Sequence, residues 1–209
     1  MEKNNNSNKK VLNLFDVCDL LHEKNFIIDK DEDIIINSTT KRIFRKLGKE
    51  EYEKINDLLQ KYVQTKLAIS YNMNQLEFSL ANFCKSYLLI SNDFLKNDKL
   101  VVIIPNKGDI YPGVFNIASL FYRGIEKGSM ISLINTINSQ KFSTLIMNPN
   151  KLSDKAITIT DFSDHISHCQ YIWKEFISKN KSKFSKIVVV ADQYAGLSII
   201  KLIKNFSTN

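Results

Sequence analysis

Three short runs of apolar, mostly β-branched residues constrain the fold of this chain more than any other feature. They are residues 100–104 (Leu-Val-Val-Ile-Ile), 142–147 (Phe-Ser-Thr-Leu-Ile-Met) and 186–191 (Lys-Ile-Val-Val-Val-Ala). Short runs without polar alternation are typical of strands that are buried on both faces. Helix-like segments follow the second and third runs over residues 164–178 and 196–206. The alternation predicts an α/β fold, a three-layer α/β/α domain with a parallel sheet.

The remaining segments are predicted to complete a single domain over residues 11–209. Residues 49–67 carry apolar side chains at helical spacing, with charges between them. Residues 100–209 are expected to form the core sheet, and residues 70–99 to be a linking region that includes a short strand near its middle. Residues 1–10, which are polar and rich in Asn, are predicted to be a disordered tail.

Composition excludes several classes of function. The chain has 209 residues, of which 44% are hydrophobic and 24% charged, as in an ordinary globular protein. No apolar run approaches the length of a membrane span, and the N-terminus lacks the apolar stretch of a secretion signal. We therefore expect a protein of the nucleus or cytoplasm with no membrane partner. The three cysteines are scattered, which predicts buried thiols rather than disulfides or a zinc site.

The net charge of +7 weakly favours a polyanionic partner such as RNA. Lysine and arginine are denser over residues 41–49 and 179–186, but neither patch contains the interleaved aromatic residues of a known RNA-binding pattern. Such patches are more often solvated surface. A basic RNA-binding module remains an alternative.

The strand-turn-helix after the third run is where chemistry is expected, because ligands of parallel sheets lie at the carboxyl ends of the strands. In the nucleophile elbow of the α/β-hydrolase fold, the central residue occupies a strained turn, and the positions two before and two after it must be small. With Gln193 at the centre, the flanks are Ala191 and Ala195, which are both small. With Asp192 at the centre, both flanks are large. Sterics therefore predict Gln193 at the centre and exclude an aspartate nucleophile.

The chemistry of a hydrolase is nevertheless missing. A glutamine amide is not a nucleophile, and no neighbouring base can convert it into one. In this fold an acid and a histidine follow the nucleophile, whereas no Asp, Glu or His follows Gln193. We expect no enzyme activity. A plain turn unrelated to hydrolases, and an esterase-like enzyme with an unrecognised catalytic set, remain the alternatives.

Metal and cofactor sites are not expected. His165 and His168, with Asp164 and Cys169, share one helical segment, but no distant further ligand completes a metal site. The glycines do not form a phosphate-binding loop, since no Gly-Lys-Ser/Thr opens a helix after a strand.

Three blocks of sequence carry a resemblance to a known family. They are the strand and loop Leu100–Gly108 with Tyr111-Pro-Gly113, the strand that ends Asn148-Pro-Asn150, and the helix from His168 that leads into the turn Ala191–Gly196. Their order and spacing are similar to those of the Argonaute-binding-protein domain family, from about residue 26 to the C-terminus. The residues that match the family's pattern are Asn148, Pro149, Asn150, His168, Tyr171 and Trp173.

The departures from the family pattern fall on both halves of the catalytic machinery. The family's elbow reads Ala-His-Ser-Tyr-Gly-Gly, where this chain has Ala191 followed by Asp192, Gln193, Tyr194, Ala195 and Gly196. The family's His-Gly-Ser-Gly loop is replaced by Pro105, Asn106, Lys107 and Gly108. In a hydrolase that loop would supply oxyanion-hole amides, and a proline has no N–H to donate.

The resemblance implies a hydrolase-like fold that stops after the elbow helix, and a non-catalytic adaptor role. By resemblance, the expected partners are proteins of the Argonaute-linked small-RNA machinery, heterochromatin factors or cotranscriptional regulators. Direct RNA binding is possible. Because the family's domain continues beyond the elbow helix, we also expect exposed apolar surface along one flank of the sheet, either at residues 186–191 or elsewhere. Self-association, low stability or a covering partner would follow.

Overall fold

The computed structural model describes residues 13–29, 35–38, 48–79, 85–150 and 164–206. The helices are α1 (Leu14–Glu23), α2 (Lys49–Tyr71), α3 (Ile117–Arg123), α4 (Ile125–Gly128), α5 (Ile131–Ser139), α6 (His165–Ile172) and α7 (Ala195–Phe206). The strands are β1 (Phe26–Ile28), β2 (Ile35–Asn37), β3 (Met73–Ser79), β4 (Lys85–Ser91), β5 (Lys99–Ile104), β6 (Ser143–Ile146) and β7 (Lys186–Ala191). The predicted tail at residues 1–10 lies outside the described residues.

The main sheet has five strands in the order β3-β4-β6-β5-β7. Strands β6, β5 and β7 are parallel, and the central β5 aligns Val102 with Leu145 on one side and with Val189 on the other. The parallel pairing of the three apolar runs is therefore confirmed. Strands β1 and β2 form a separate antiparallel pair.

The prediction of a wholly parallel sheet is wrong, because β3 and β4 are antiparallel to their neighbours and the sheet is mixed. Residues 70–99, predicted as a linking region, supply both of these strands. The polar content of β3 explains why it was missed. As an edge strand it has one neighbour, and Asn74, Gln75 and Glu77 are exposed, so it lacks the continuous apolar pattern of a central strand.

Helices cover both faces of the sheet, which confirms the three-layer arrangement. Side chains such as Val101 and Ile103 point to one face and pack in a core with helices α1 to α5. Their neighbours Leu100, Val102 and Ile104 point to the other face and pack against α6 and α7. The period of two along β5 thus serves two separate cores, as expected of a strand buried on both sides.

The predicted helix over residues 164–178 is present but not uniform. Asp164 begins α6 by accepting hydrogen bonds from the backbone N–H groups of Ile166 and Ser167, at 2.7 and 3.0 Å. A π-helical turn over Trp173–Ile177 and a 3₁₀ helix over Ser178–Lys183 continue the segment. No helix within the described ranges combines the length and apolarity needed to cross a membrane.

The cysteines agree with the sequence prediction only in part. Cys169 is buried between α6 and the sheet, and burial raises the pKa of its thiol to about 12. Cys18 lies on an exposed face of α1, so the prediction of a buried thiol is wrong there. Amphipathic α1 turns only Val17 and Leu21 fully inward. Cys84 lies outside the described residues.

Candidate functional site

The turn between β7 and α7 has its sharpest point at Gln193. Gln193 has a φ of 47°, in the left-handed region that costs a residue with a side chain about 1 kcal/mol. Asp192 still belongs to the sheet, because its N–H donates to the carbonyl of Ile104 at 3.1 Å. Helix α7 begins at once, and the N–H of Gly196 donates to the carbonyl of Gln193 at 3.0 Å. The structure therefore places Gln193, rather than Asp192, at the exposed apex.

The side chains of Gln193 and Asn106 are joined directly. The Asn106 Nδ2 donates to Gln193 Oε1 at 2.9 Å, although the residues are 87 positions apart in the chain. The Asn106 Oδ1 accepts hydrogen bonds from the backbone N–H of Tyr194 at 3.2 Å and of Lys107 at 2.8 Å. One amide therefore connects the loop after β5 to the turn after β7. We call these residues, Asn106 and Gln193, the amide pair.

Asn150 holds the loop after β5 from beneath. Its Nδ2 donates to the carbonyl of Asn106 at 2.7 Å and to that of Ile110 at 3.4 Å, and its Oδ1 accepts from the N–H of Gly108 at 3.1 Å. Three backbone groups of one loop thus depend on a single side chain at the end of β6. This gives a physical role to one residue of the Asn-Pro-Asn block. Asn148 is buried and Pro149 is half-buried beside it.

Helix α2 fixes the other end of the same loop. Gln60, which is buried, accepts a hydrogen bond from the N–H of Tyr111 at 2.6 Å and donates to the carbonyl of Asp109 at 3.2 Å. Gln64 donates to the carbonyl of Pro112 at 3.2 Å. The loop is consequently held by α2 and by Asn150 together, and it has little freedom to rearrange around a ligand.

A buried histidine and serine lie directly behind the turn. His165 Nε2 is 2.9 Å from the carbonyl oxygen of Pro105, and His165 Nδ1 is 2.9 Å from Ser198 Oγ. Since a carbonyl can only accept, Nε2 carries the proton and Nδ1 accepts from the serine hydroxyl. Burial lowers the pKa of His165, and the bond to Pro105 only partly opposes this. His165 is therefore neutral and fixed in one tautomer near pH 7.

The surface around the apex combines a cation, a ring and a carboxyl group. The Lys107 ammonium lies 5.1 Å from the centre of the Tyr194 ring, whose other contact is an edge-on approach to the His165 ring at 5.6 Å. Partial burial raises the pKa of the Asp192 carboxyl. Gln193 and Lys107 are exposed. The site is an open surface; a cavity of about 620 Å³ lies elsewhere, between α1, β1 and α2.

The other residues that match the family lie in the core beneath α6. His168 is completely buried and contacts the Phe78 ring at 6.2 Å, and Tyr171 stacks on the same ring at 6.1 Å. Trp173 is partly buried and borders a small apolar cavity of about 150 Å³ under α7. The structure therefore does not bring these three side chains to the turn.

The alternatives from the sequence are placed as follows. Within the described part of the chain, no three His, Cys, Asp or Glu side chains converge as metal ligands. Lys179, Lys181 and Lys183 are exposed on the segment that precedes β7, at the opposite end of that strand from Gln193. Lys179 is paired with Glu175. Most of the 41–49 patch lies outside the described residues.

Sequence reasoning missed two elements of this site, the glutamines of α2 and the pair of His165 with Ser198. Both carried a weak signal. Gln60 falls four residues after Asn56 on the apolar stripe of α2, and polar residues on such a stripe tend to have buried partners. Ser198 similarly lies on the buried face of α7 with Ala195 and Leu202.

Comparison with known proteins assigns the family. A family model of the Arb2 domain matches residues 45–158, more than half of the chain, which includes α2, the loop after β5 and Asn150. The turn at Gln193 lies outside the matched range. The chain is 24% identical over 199 residues to a protein of Dictyostelium discoideum named cotranscriptional regulator ARB2A homolog, with 78% of this chain covered.

The chain spans about half the length of that relative, 51%. No solved structure matches it. The resemblance drawn from the three sequence blocks is confirmed by the family match: the chain belongs to the Arb2 domain family.

Proposed function

We propose that this chain is a non-catalytic adaptor with an α/β-hydrolase-like fold, acting in nuclear, cotranscriptional regulation. The observation that carries the proposal is the amide pair. Gln193 occupies the apex where a hydrolase of this fold places its nucleophile, and its amide oxygen accepts a hydrogen bond from Asn106. An amide has no nucleophilic oxygen or sulfur to offer a substrate carbonyl.

The loop after β5 also lacks the features of an oxyanion hole. Such a hole needs backbone N–H groups that point into an open site. Pro105 has no N–H, the Lys107 N–H donates to Asn106 Oδ1, and the Gly108 N–H donates to Asn150 Oδ1. Tyr194 likewise donates its N–H to Asn106. The donors of this region are used internally, which supports a structural role for the former catalytic elements.

An esterase-like enzyme is the second candidate, because Ser198 and His165 form a hydrogen-bonded serine–histidine pair. Two observations weigh against it. Ser198 has 0% and His165 2% of its surface exposed, so no substrate carbonyl reaches the hydroxyl. The second nitrogen of His165 faces the Pro105 carbonyl, and a carboxylate that would stabilise an imidazolium is not its partner.

Labelling with a fluorophosphonate probe separates these two functions. The adaptor is expected to show no labelling and no hydrolysis of p-nitrophenyl esters above a buffer blank. Ser198→Ala and Gln193→Ala are the matched variants. Labelling that disappears in Ser198→Ala would establish the buried pair as a catalytic one, and labelling that disappears in Gln193→Ala would place reactivity at the apex. Either result would refute the adaptor proposal.

The regulatory role rests on the family and on the relative's name, and a partner experiment tests it. Capture of the tagged chain from nuclear extract, followed by mass spectrometry, is expected to enrich Argonaute-type proteins, chromatin factors or cotranscriptional regulators. Nuclease treatment distinguishes protein contacts from bridging RNA. Tight binding of the purified chain to single-stranded RNA, with enrichment lost after nuclease treatment, would favour the basic RNA-binding alternative instead.

A further inference from the structure

Strand β7 has an open outer edge. It is the last strand of the sheet, and no strand of the described residues pairs with the side that faces away from β5. From Ile187 to Ala191 every residue is half-buried, whereas Leu100 to Ile104 of β5 are all buried. An edge strand with this much apolar character is a template for pairing with a further strand.

The hydrogen bonds of β7 show which backbone groups face outward. The N–H groups of Lys186 and Asp192 both point inward, towards the carbonyls of Asp98 and Ile104. Backbone groups along a strand alternate between its two sides, so those of Ile187, Val189 and Ala191 face outward. An additional strand must therefore place its own outward-facing groups opposite these three residues.

Helix α7 continues the apolar surface beside this edge. Leu197, Ile200 and Ile203 are 48%, 50% and 57% exposed. Helix α6 contacts the flank of α7 that carries Ser198, through His165. At 3.6 residues per turn, Ile200 and Ile203 lie on the opposite flank. We call the outer side of β7 and this flank of α7 the edge surface.

We propose that the edge surface binds a second copy of this chain, through antiparallel pairing of β7 with its symmetry mate. A two-fold axis through Val189 places Val189 opposite the partner subunit's Val189, and Ile187 opposite Ala191 of the partner subunit. All three outward-facing residues then meet outward-facing residues, as an antiparallel ladder requires. A shift by one residue would place outward groups opposite inward groups.

Charge complementarity selects this register and this occupant. The same register places Lys186 opposite Asp192 of the partner subunit, and symmetry repeats the pair at the other end. Residues opposite each other in an antiparallel ladder point to the same face of the sheet. A shift by two residues would set Lys186 opposite the partner subunit's Val190 or Tyr194, and both ion pairs would be lost. The strand is thus complementary to its own copy in hydrogen bonds and in charge.

The dimer joins two five-stranded sheets into one continuous sheet. Both α7 helices then lie on the same face, on either side of the two-fold axis, with the flanks that carry Ile200 and Ile203 turned towards each other. The pairing covers the open edge and the exposed stripe together, which no contact within one described chain does. It is an isologous interface, the commonest kind in soluble oligomers.

Sedimentation and light scattering of the purified full chain over a range of concentrations test the proposal. A dimer is expected. Lys186→Asp and Asp192→Lys should each raise the dimer dissociation constant about tenfold or more, because each places like charges opposite each other twice. The double variant, with the charges exchanged, should return within about threefold of the original value. Failure of this rescue would overturn the proposed register.

Two further variants test the strand edge and the helix flank. Val189→Pro removes an N–H that faces outward and leaves the inward-facing N–H groups that pair with β5, so it should yield a folded monomer. Ile203→Glu should also yield a monomer, whereas Ile69→Glu, at a residue 58% exposed on α2, should not. Circular dichroism verifies that each variant is folded. A monomer at all concentrations with a cooperative melt, or a dimer indifferent to these changes, would overturn the proposal.

Discussion

Replacing His168 with methionine should stabilise the protein, and replacing His165 with methionine should destabilise it. Both histidines are buried on α6, three residues apart. His165 uses both ring nitrogens, in bonds to Pro105 and Ser198. Within the described part of the chain, neither ring nitrogen of His168 has a hydrogen-bond partner. The same substitution therefore removes two hydrogen bonds at one position and two unsatisfied polar atoms at the other.

The magnitudes follow from these partners. A buried polar group left without a partner costs about 1–3 kcal/mol, and a volume-conserving change in a core costs less than about 1.5 kcal/mol. At pH 7 we expect His168→Met to raise the free energy of unfolding by about 1–2 kcal/mol. His165→Met should lower it by about 2–4 kcal/mol, because the Pro105 carbonyl and the Ser198 hydroxyl lose their partner.

The pH dependence gives a second, independent signature. Burial, and to a smaller extent His165, lowers the pKa of His168 from the ordinary 6.5 to about 4. A histidine with a depressed pKa in the folded state stabilises the fold above the unfolded pKa, and that stability is lost as pH falls towards the folded pKa. The drop from 6.5 to about 4 corresponds to about 3 kcal/mol, of which about 2 kcal/mol is lost by pH 5.

Urea unfolding at pH 7 and pH 5, followed by the fluorescence of Trp173, measures both effects. The original chain should lose at least about 2 kcal/mol more than His168→Met between the two pH values. The variant keeps the smaller contribution of His165, whose pKa burial also lowers. If His168→Met were destabilised at pH 7 and as sensitive to acid as the original chain, then His168 would have a partner and the reasoning would fail.

Three further predictions concern local geometry, and thermal or urea unfolding checks each one. Gly128→Ala should destabilise the protein by several kcal/mol, since its Cβ would lie 2.3 Å from the backbone nitrogen of Leu120, whereas Gly48→Ala, with no atom within 4 Å, should change stability by less than about 1 kcal/mol. Gly196→Ala should be neutral or stabilising by up to about 1 kcal/mol, because its Cβ also meets nothing and alanine favours a helix; clear destabilisation would show that the turn requires a glycine there. Asn106→Ala should cost about 1–2 kcal/mol by removing the amide pair, and an unchanged midpoint would show that this pair does not hold the turn.

The Arb2 family assignment also makes the lost chemistry informative. The loop after β5 lies within the region that the family model matches, and its backbone donors are turned inward by Asn106 and Asn150. A site that has exchanged a nucleophile for an amide keeps its rigid surface. That combination suits a surface that another protein recognises, which the capture experiment addresses.

Local sequence was sufficient for the elements that depend on neighbouring residues. The three apolar runs predicted β5, β6 and β7 because a strand buried on both faces needs no polar alternation. The small residues Ala191 and Ala195 placed Gln193 at the apex, since only small side chains allow strand and helix to approach there. The absence of an acid or histidine after Gln193 was readable without coordinates.

Tertiary structure alone decided the features that join distant segments. The position of β7 at the edge, the inclusion of polar β3 in the sheet, and the pairing of Asn106 with Gln193 across 87 residues all depend on which segments meet in space. His165 and His168 make the point most simply. They share a helix and a sequence neighbourhood, yet one has two partners and the other has none among the described residues. Hydrogen bonds between distant segments are set by the packing of the sheet and its helices, which local propensity does not encode.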